Sequence, residues 1–244
     1  MPRPVTIVTG GGRGIGAAVC RRLAADGHDL AIGYLRDADS AEAVARDARA
    51  AGARAVTVRL DTADEADVDR LFDTAAEQLG PVTGLVNNAG VTGPLAPITE
   101  LRTEDLRRVV DVNLIGYVLC ARRAARDFAP GGAIVNISSA AATLGSPGEY
   151  VHYAATKAAT DTLTLGLAKE LGPAGIRVNT VSPGLTNTEM HRDMGDADRP
   201  ARLAPGIPLR RAGEPDEIAA AVAWLLSPDA SYATGANLRV SGGL

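Results

Sequence analysis

Short apolar runs and turns of Gly, Asp and Pro alternate along the chain. "VTIVT" (5–9), "DLAIGYL" (29–35), "RAVTVRL" (54–60), "VTGLVNN" (82–88), "GAIVNIS" (132–138), "IRVNTVS" (176–182) and "NLRVSG" (237–242) read as strands. Several are nearly continuous in apolar residues, which suits strands buried on both faces. Between them the apolar positions recur at helical spacing over 15–27, 40–52, 64–80, about 103–128, 153–171 and 214–227. Ser40 fits the N-cap of the second helix and Gly52 its stop.

This β-α-β order predicts one α/β domain over 1–244. It would be doubly wound, mostly a seven-stranded parallel sheet with helices on both faces and right-handed crossovers. No repeat, low-complexity tract or linker divides it. One long irregular stretch, 185–213, is rich in charge, Pro and Gly. A loop of that length inside a compact domain points to a lid or substrate region.

Composition narrows the picture. Hydrophobic residues are 46% of 244 and aromatics only 3%, so the core must be built of Ala, Val, Leu and Ile. The net charge of −4 gives no electrostatic case for nucleic acid or an anionic membrane. No apolar run approaches membrane-spanning length and no leader pattern precedes the first glycines, so the sequence predicts a soluble, cytoplasmic protein. Cys20 and Cys120 lie far apart in helical patterns with no Cys/His cluster, which suggests neither a disulfide nor a metal site.

Candidate chemistry begins at "TGGGRGIG" (9–16), which leaves the first strand and opens the first helix. Glycines there let the backbone approach a pyrophosphate, and the helix N-terminus supplies free N–H groups. The spacing reads as Gly10, Gly14 and Gly16, or as Gly12, Gly14 and Ala17 on the looser template. After the second strand, "GYLRDADS" has no carboxylate at Tyr34 or Leu35 to hold a ribose hydroxyl. Arg36 follows instead, and Arg13 sits inside the glycine turn. Two guanidinium groups near one ribose favour NADP(H) over NAD(H).

"VHYAATKAAT" (151–160) places Tyr153 and Lys157 on one helix face. An ammonium beside a phenol lowers its pKa from about 10 and allows proton exchange with a carbonyl or alcohol oxygen. Ser138 and Ser139 end the "IVNIS" strand, and Asn113 interrupts a helix with a poor helix former. His152 points away from Tyr153 and suits packing or hydrogen bonding.

With these residues the chain resembles the short-chain dehydrogenase/reductase family nearly end to end. The resemblance rests on "TGGGRGIG", Asp61 after the third strand, "NNAG" (87–90), Asn113, "ISS", "YAATK", "SPG" (182–184) and "TGANLRVSGG". It implies a Rossmann domain with an Asn113–Ser139–Tyr153–Lys157 tetrad. Tyr153 would be the general acid/base, and Lys157 would lower its pKa and bind the nicotinamide ribose. Ser139 would polarise the substrate carbonyl, and Asn113 would hold a water that links Lys157 to solvent. Gly10, Gly14 and Gly16 would form the pyrophosphate turn beside Ile15. Asp61 would meet the adenine, and Asn88, Ala89 and Gly90 its ribose. Pro183, Gly184 and Thr188 would lie near the nicotinamide, with Thr186 a rival to Thr188.

The resemblance also implies a homotetramer with helices 103–128 and 153–171 at an interface, and a small-molecule carbonyl or alcohol substrate. Ser139 to Tyr153 is one residue longer than the family's usual interval, which reads as an insertion in 144–152 beside the substrate pocket. Glu149, Tyr150, Met190, His191 and Met194 are candidate pocket or lid residues. An acyl-carrier-protein thioester reductase is an alternative; it would need a basic entrance patch, for which Arg122, Arg123 and Arg126 are candidates. A non-catalytic cofactor-binding regulator is a further alternative, set against the complete tetrad.

Overall fold

The computed structural model describes residues 3–244. The chain runs β1 (Val5–Thr9), α1 (Gly14–Ala25), β2 (Asp29–Tyr34), α2 (Ala38–Ala50), β3 (Ala55–Arg59), α3 (Glu65–Leu79) and β4 (Val82–Asn87). It continues through α4 (Thr103–Val110), a π turn (Asp111–Ile115), α5 (Gly116–Asp127), β5 (Ala133–Ile137), α6 (Ala141–Leu144), α7 (Val151–Leu171) and β6 (Arg177–Pro183). The short α8 (Met190–Asp193) and α9 (Arg199–Leu203) precede α10 (Pro215–Leu226) and β7 (Asn237–Val240).

The seven strands form one sheet in the order β3-β2-β1-β4-β5-β6-β7, and every neighbouring pair is parallel. β1 and β5 are buried at all five positions, which explains their unbroken apolar character. Alternate residues face opposite layers. Val8, Leu30 and Ile32 pack with Leu23, Ile218 and Leu225 beneath α1, α2 and α10. Ile7, Leu85 and Ile134 pack with Leu71, Phe72 and Ala124 beneath α3, α5 and α7. Both layers are built largely of Ala, Val, Leu and Ile. Cys20 and Cys120 are free and buried within them, and burial pushes each thiol pKa up to about 12.

Two local expectations are corrected. α2 is capped by Asp37 rather than Ser40. The Asp37 carboxylate accepts from the Ser40 amide at 2.9 Å and its hydroxyl at 2.6 Å, because Ser40 is already three residues into the helix. The helix expected over 103–128 widens into a π turn at Asp111–Ile115. A Cβ on Gly116 would stand 2.7 Å from Thr62, so only glycine lets α5 follow that turn so close to its neighbour.

The chain leaves β1 toward β2 on one side, and β4 lies on the other. This switch point opens a crevice at the carboxyl ends of the strands, the usual ligand position in open α/β sheets.

The stretch 185–213 is more ordered than its composition suggests. Thr186 bridges Gly213. The Asn187 amide donates to Gly213 and the Gly213 amide to Leu185, each at 2.9 Å, so the excursion is closed at its base. Its two helices have four and five residues, too short to show a hydrophobic period.

Candidate active site

The glycine turn is held from both sides. Gly10 and Gly14 adopt φ of 65° and 51°, the left-handed region that favours glycine. A Cβ on Gly16 would stand 2.2 Å from the Gly10 carbonyl oxygen. A Cβ on Gly12 would press on Ala41 at 3.2 Å. Asn88 Nδ2 donates to the carbonyls of Thr9 and Gly10 at 2.9 and 3.1 Å. Thr9 Oγ1 in turn accepts from the amides of Asn88 and Ala89 at 3.0 Å. Asn88 therefore braces the turn with its side chain. Ile15 is half-buried and packs on the core.

Helix α1 starts at this turn with no side-chain cap and no acidic residue in its first turn. Its leading amides and dipole are left for an anion. The residues fit a dinucleotide pyrophosphate.

At the far end of that crevice, Tyr34 closes β2 and Arg36 is exposed. Among the described residues Arg36 makes no ion pair, whereas Arg13 pairs with Asp193 of α8 at 2.5 Å. Arg13 also lies near Asp37, whose carboxyl is held below its usual range by its bonds to Ser40 and, more weakly, by Arg13. The two guanidinium groups are thus not equivalent: Arg13 is tied to the excursion. Asp61 caps the Ala63 amide at 3.1 Å and pairs with Arg108 at 3.0 Å.

Tyr153 and Lys157 project from α7 and are 7% and 3% exposed. The Lys157 ammonium lies 5.7 Å from the Tyr153 ring centroid. It donates to the Ile137 carbonyl at 2.7 Å and to Tyr117 Oη at 3.2 Å. Ser139 meets the Tyr153 phenol, whereas Ser138 turns away and donates to the Lys157 carbonyl at 3.0 Å. Of the two serines, Ser139 is the one beside the phenol, and the loop before α7 is tightly turned. Gly145, Ser146 and Gly148 all take positive φ there.

Asn113 sits in the π turn, fully buried. Its Oδ1 accepts from the Val91 amide at 2.9 Å, and its Nδ2 donates to the Val91 carbonyl at 2.9 Å and to Thr156 at 3.2 Å. Its side chain fastens the segment after β4. A Cβ on Gly90 would stand 3.4 Å from Asn113 Oδ1 and 3.6 Å from Lys157 Nζ, so Gly90 links the tetrad to the glycine turn through Asn88 and Ala89.

Pro183 ends β6, and Gly184 passes so close to Ser241 that a Cβ would lie 2.6 Å away. Thr186 is buried and donates to the Gly184 carbonyl at 3.1 Å. Thr188 instead reaches the glycine turn, its methyl 3.4 Å from a Cβ built on Gly14. Of the two threonines, Thr188 is the one that faces the turn. His152 is a packed residue whose Nε2–H donates to the Thr92 carbonyl at 2.9 Å.

Burial dominates the electrostatics of the pair. Burial raises the Tyr153 pKa above its ordinary value, and the Ser139 contact offsets only part of that. Burial also lowers Lys157 to about 7, against a smaller opposing effect of Asp161. Tyr153 rests as a proton-bearing phenol.

The sequence did not single out Tyr117, Thr156 or Arg199. Tyr117 and Thr156 share helices with predicted residues, and only packing shows their contacts. Arg199 lies in a charged stretch that reads as solvated, yet it is 5% exposed.

A family model described as enoyl-(acyl carrier protein) reductase matches residues 10–244. The chain is 43% identical over 244 residues to the uncharacterized oxidoreductase YgfF of Escherichia coli, covering 98% of this chain and 99% of that protein. It is 42% identical over 241 residues to cis-4-hydroxycyclohexanecarboxylate dehydrogenase of Sinomonas cyclohexanicum, covering 98% and 95%. A short-chain dehydrogenase of Burkholderia cenocepacia, solved in complex with NADP, superposes with a TM-score of 0.92 at 38% identity, covering 99% and 97%. A protein with this sheet order, this glycine turn and this Tyr–Lys helix is a Rossmann-type oxidoreductase. The chain belongs to the short-chain dehydrogenase/reductase family and is an NAD(P)-dependent oxidoreductase. No helix among the described residues is long and apolar enough to cross a membrane.

Proposed function

We propose that this chain interconverts a ketone and a secondary alcohol with NADP(H), using Tyr153 as general acid/base. The observation that carries this reading is the enclosed arrangement of Tyr153, Lys157 and Ser139 at the carboxyl end of β5. NADPH, when bound, supplies the hydride that the carbonyl carbon gains. Tyr153 hands its phenolic proton to the carbonyl oxygen, and Ser139 holds that oxygen with a second hydrogen bond. The upward shift of the phenol keeps the acid charged with its proton before reduction. Lys157, its ammonium 5.7 Å from the Tyr153 ring centroid, would stabilise the phenolate left behind. Asn113 positions this group through Val91 and Thr156, so a water held by Asn113 would bind its main chain.

NADP(H) is favoured over NAD(H). Among the described residues Arg36 stands without an ion-pair partner just beyond β2, where no carboxylate is placed for a ribose hydroxyl, and a related structure carries NADP. Asp61, Thr188, Pro183 and Gly184 complete the cofactor cleft in this reading, and 185–213 is its lid. The carrier-protein alternative is weakened, because two of the three arginines of its candidate patch are paired: Arg122 with Glu65, and Arg123 with Asp69, Asp73 and Asp127. We also propose the homotetramer; Ile115, Val118 and Leu165 are exposed apolar residues on the helices expected at its interface.

The test follows NADPH absorbance with ketones, diketones and thioesters, beside Tyr153→Phe. Turnover in the wild type and a loss of at least about 100-fold in the variant, with NADPH still bound, is expected. Undiminished turnover in the variant would overturn the assignment.

A further inference from the structure

The lid carries a buried guanidinium that the steps above do not use. Arg199 opens α9 and is 5% exposed. Its Nη2 donates to the Glu149 carboxylate and, at 2.9 Å, to Tyr150 Oη. Its guanidinium carbon lies 5.4 Å from the centroid of the Tyr150 ring. That ring packs edge-to-face on Tyr153 at 5.3 Å between centroids. Arg199, Tyr150 and Tyr153 are thus one contiguous run from lid to acid/base.

Two of the three nitrogens of Arg199, Nε and Nη1, are buried without a protein acceptor. Native structures rarely leave such donors unmet, because the loss of hydration is not repaid. Neighbouring charge decides which acceptor suits them. Glu149 already balances the guanidinium. His191, whose Nε2 is 2.9 Å from the Thr186 oxygen, is kept neutral by burial. Asp196 is engaged by Arg202. The cluster therefore has donors to offer and no net positive charge.

We infer that Arg199 is a specificity-determining residue that receives a neutral oxygen, a hydroxyl or carbonyl, carried on the substrate skeleton away from the reacting ketone. This rests on the ketone-reductase reading and names the substrate class within it: oxygenated ketones rather than hydrocarbon ketones or keto acids. A carboxylate would bring a second negative charge beside Glu149.

The experiment uses the full-length protein with NADPH and three cyclohexanones that bear a hydroxymethyl, an ethyl or a carboxylate group opposite the ketone. Dissociation constants come from ligand-induced changes in NADPH fluorescence, and kcat/KM is measured in parallel. The wild type is expected to bind the hydroxymethyl ketone at least about tenfold more tightly than the ethyl ketone. Arg199→Met should reduce that ratio to about one while NADPH and ethyl-ketone binding stay within about threefold. Glu149→Gln, which leaves the guanidinium charge unbalanced, should shift preference toward the carboxylate, a response that a purely structural role would not give. Equal or absent binding of the hydroxymethyl ketone by the wild type, a wild-type preference for the carboxylate, or an equal loss of both neutral ligands in Arg199→Met would overturn the inference. Selective binding without hydride transfer would leave it standing and sink the reductase reading. Turnover without selectivity would do the reverse.

Discussion

Lys157 Nζ lies 2.7 Å from the main-chain oxygen of Ile137, the last residue of β5. The ammonium is held by a carbonyl and the Tyr117 hydroxyl rather than by a carboxylate. Burial therefore lowers its pKa to about 7 in the free protein, whereas an unfolded lysine titrates near about 10.4. Between those values the unfolded chain binds the extra proton. Stability should rise with pH from about 7 to about 9, by up to about 1.4 kcal/mol per unit from this group. Below that window both states are protonated and the penalty is constant. The raised Tyr153 opposes the trend only above about 10. Denaturant midpoints for wild type and Lys157→Met across this range should diverge, the wild type gaining relative to the variant. Parallel curves would show that Lys157 is charged throughout.

Gly16→Ala should abolish the cofactor cradle. The new Cβ would meet the Gly10 carbonyl oxygen at 2.2 Å and the Asn88 side-chain amide nitrogen at 2.6 Å, and the Gly10 backbone cannot yield as a flexible side chain can. A destabilisation of about 1–3 kcal/mol and a loss of NADPH affinity of at least about 100-fold are expected from thermal unfolding and fluorescence titration. Wild-type affinity in this variant would place the pyrophosphate elsewhere.

Arg36 and Arg13 should separate in cofactor choice. Arg36→Ala is expected to lower the NADPH-to-NADH ratio of kcat/KM about tenfold, equivalent to about 1.4 kcal/mol. Asp193→Asn should raise the same ratio, because it releases Arg13 from its ion pair. A ratio that ignores Arg36 would mean that no phosphate is read at that position.

Asn113→Ala should unfold the protein more easily as well as slow it. The change leaves the Val91 amide and carbonyl without their partner, a cost of about 2–3 kcal/mol. Asn113→Asp retains the acceptor for the Val91 amide and should fall between. Chemical denaturation with both variants gives the order, and equal stability in all three proteins would deny the side chain its fastening role.

The fold was legible because parallel strands buried on both faces leave continuous apolar runs, as in "VTIVT" and "AIVNI". The places of the glycine turn, Ser139, Tyr153 and Lys157 were legible because each lies within a few residues of a strand end or along one helix face. What escaped depends on packing between distant segments. The "RDADS" run offers both Asp37 and Ser40 as caps, and one register decides between them. Asn113 announced an irregular helix, but the π turn that holds it follows from Val91 and Thr156. Helices α8 and α9 are too short for periodicity. Arg199 reads as one more surface charge until Tyr150 and Glu149 are placed against it. Burial of the Tyr–Lys pair also escaped, since the spacing along one helix face does not show how deeply both side chains are enclosed.

The pairing of Thr186 with Gly213 has a consequence for how such a protein diversifies. The intervening chain departs and returns at one point, and the entropy of closing a loop grows only slowly with its length. Residues 187–212 can therefore be lengthened, shortened or exchanged as a cassette while the sheet, the glycine turn and α7 keep their registers, so the surface above the crevice can diversify without rebuilding what lies beneath it.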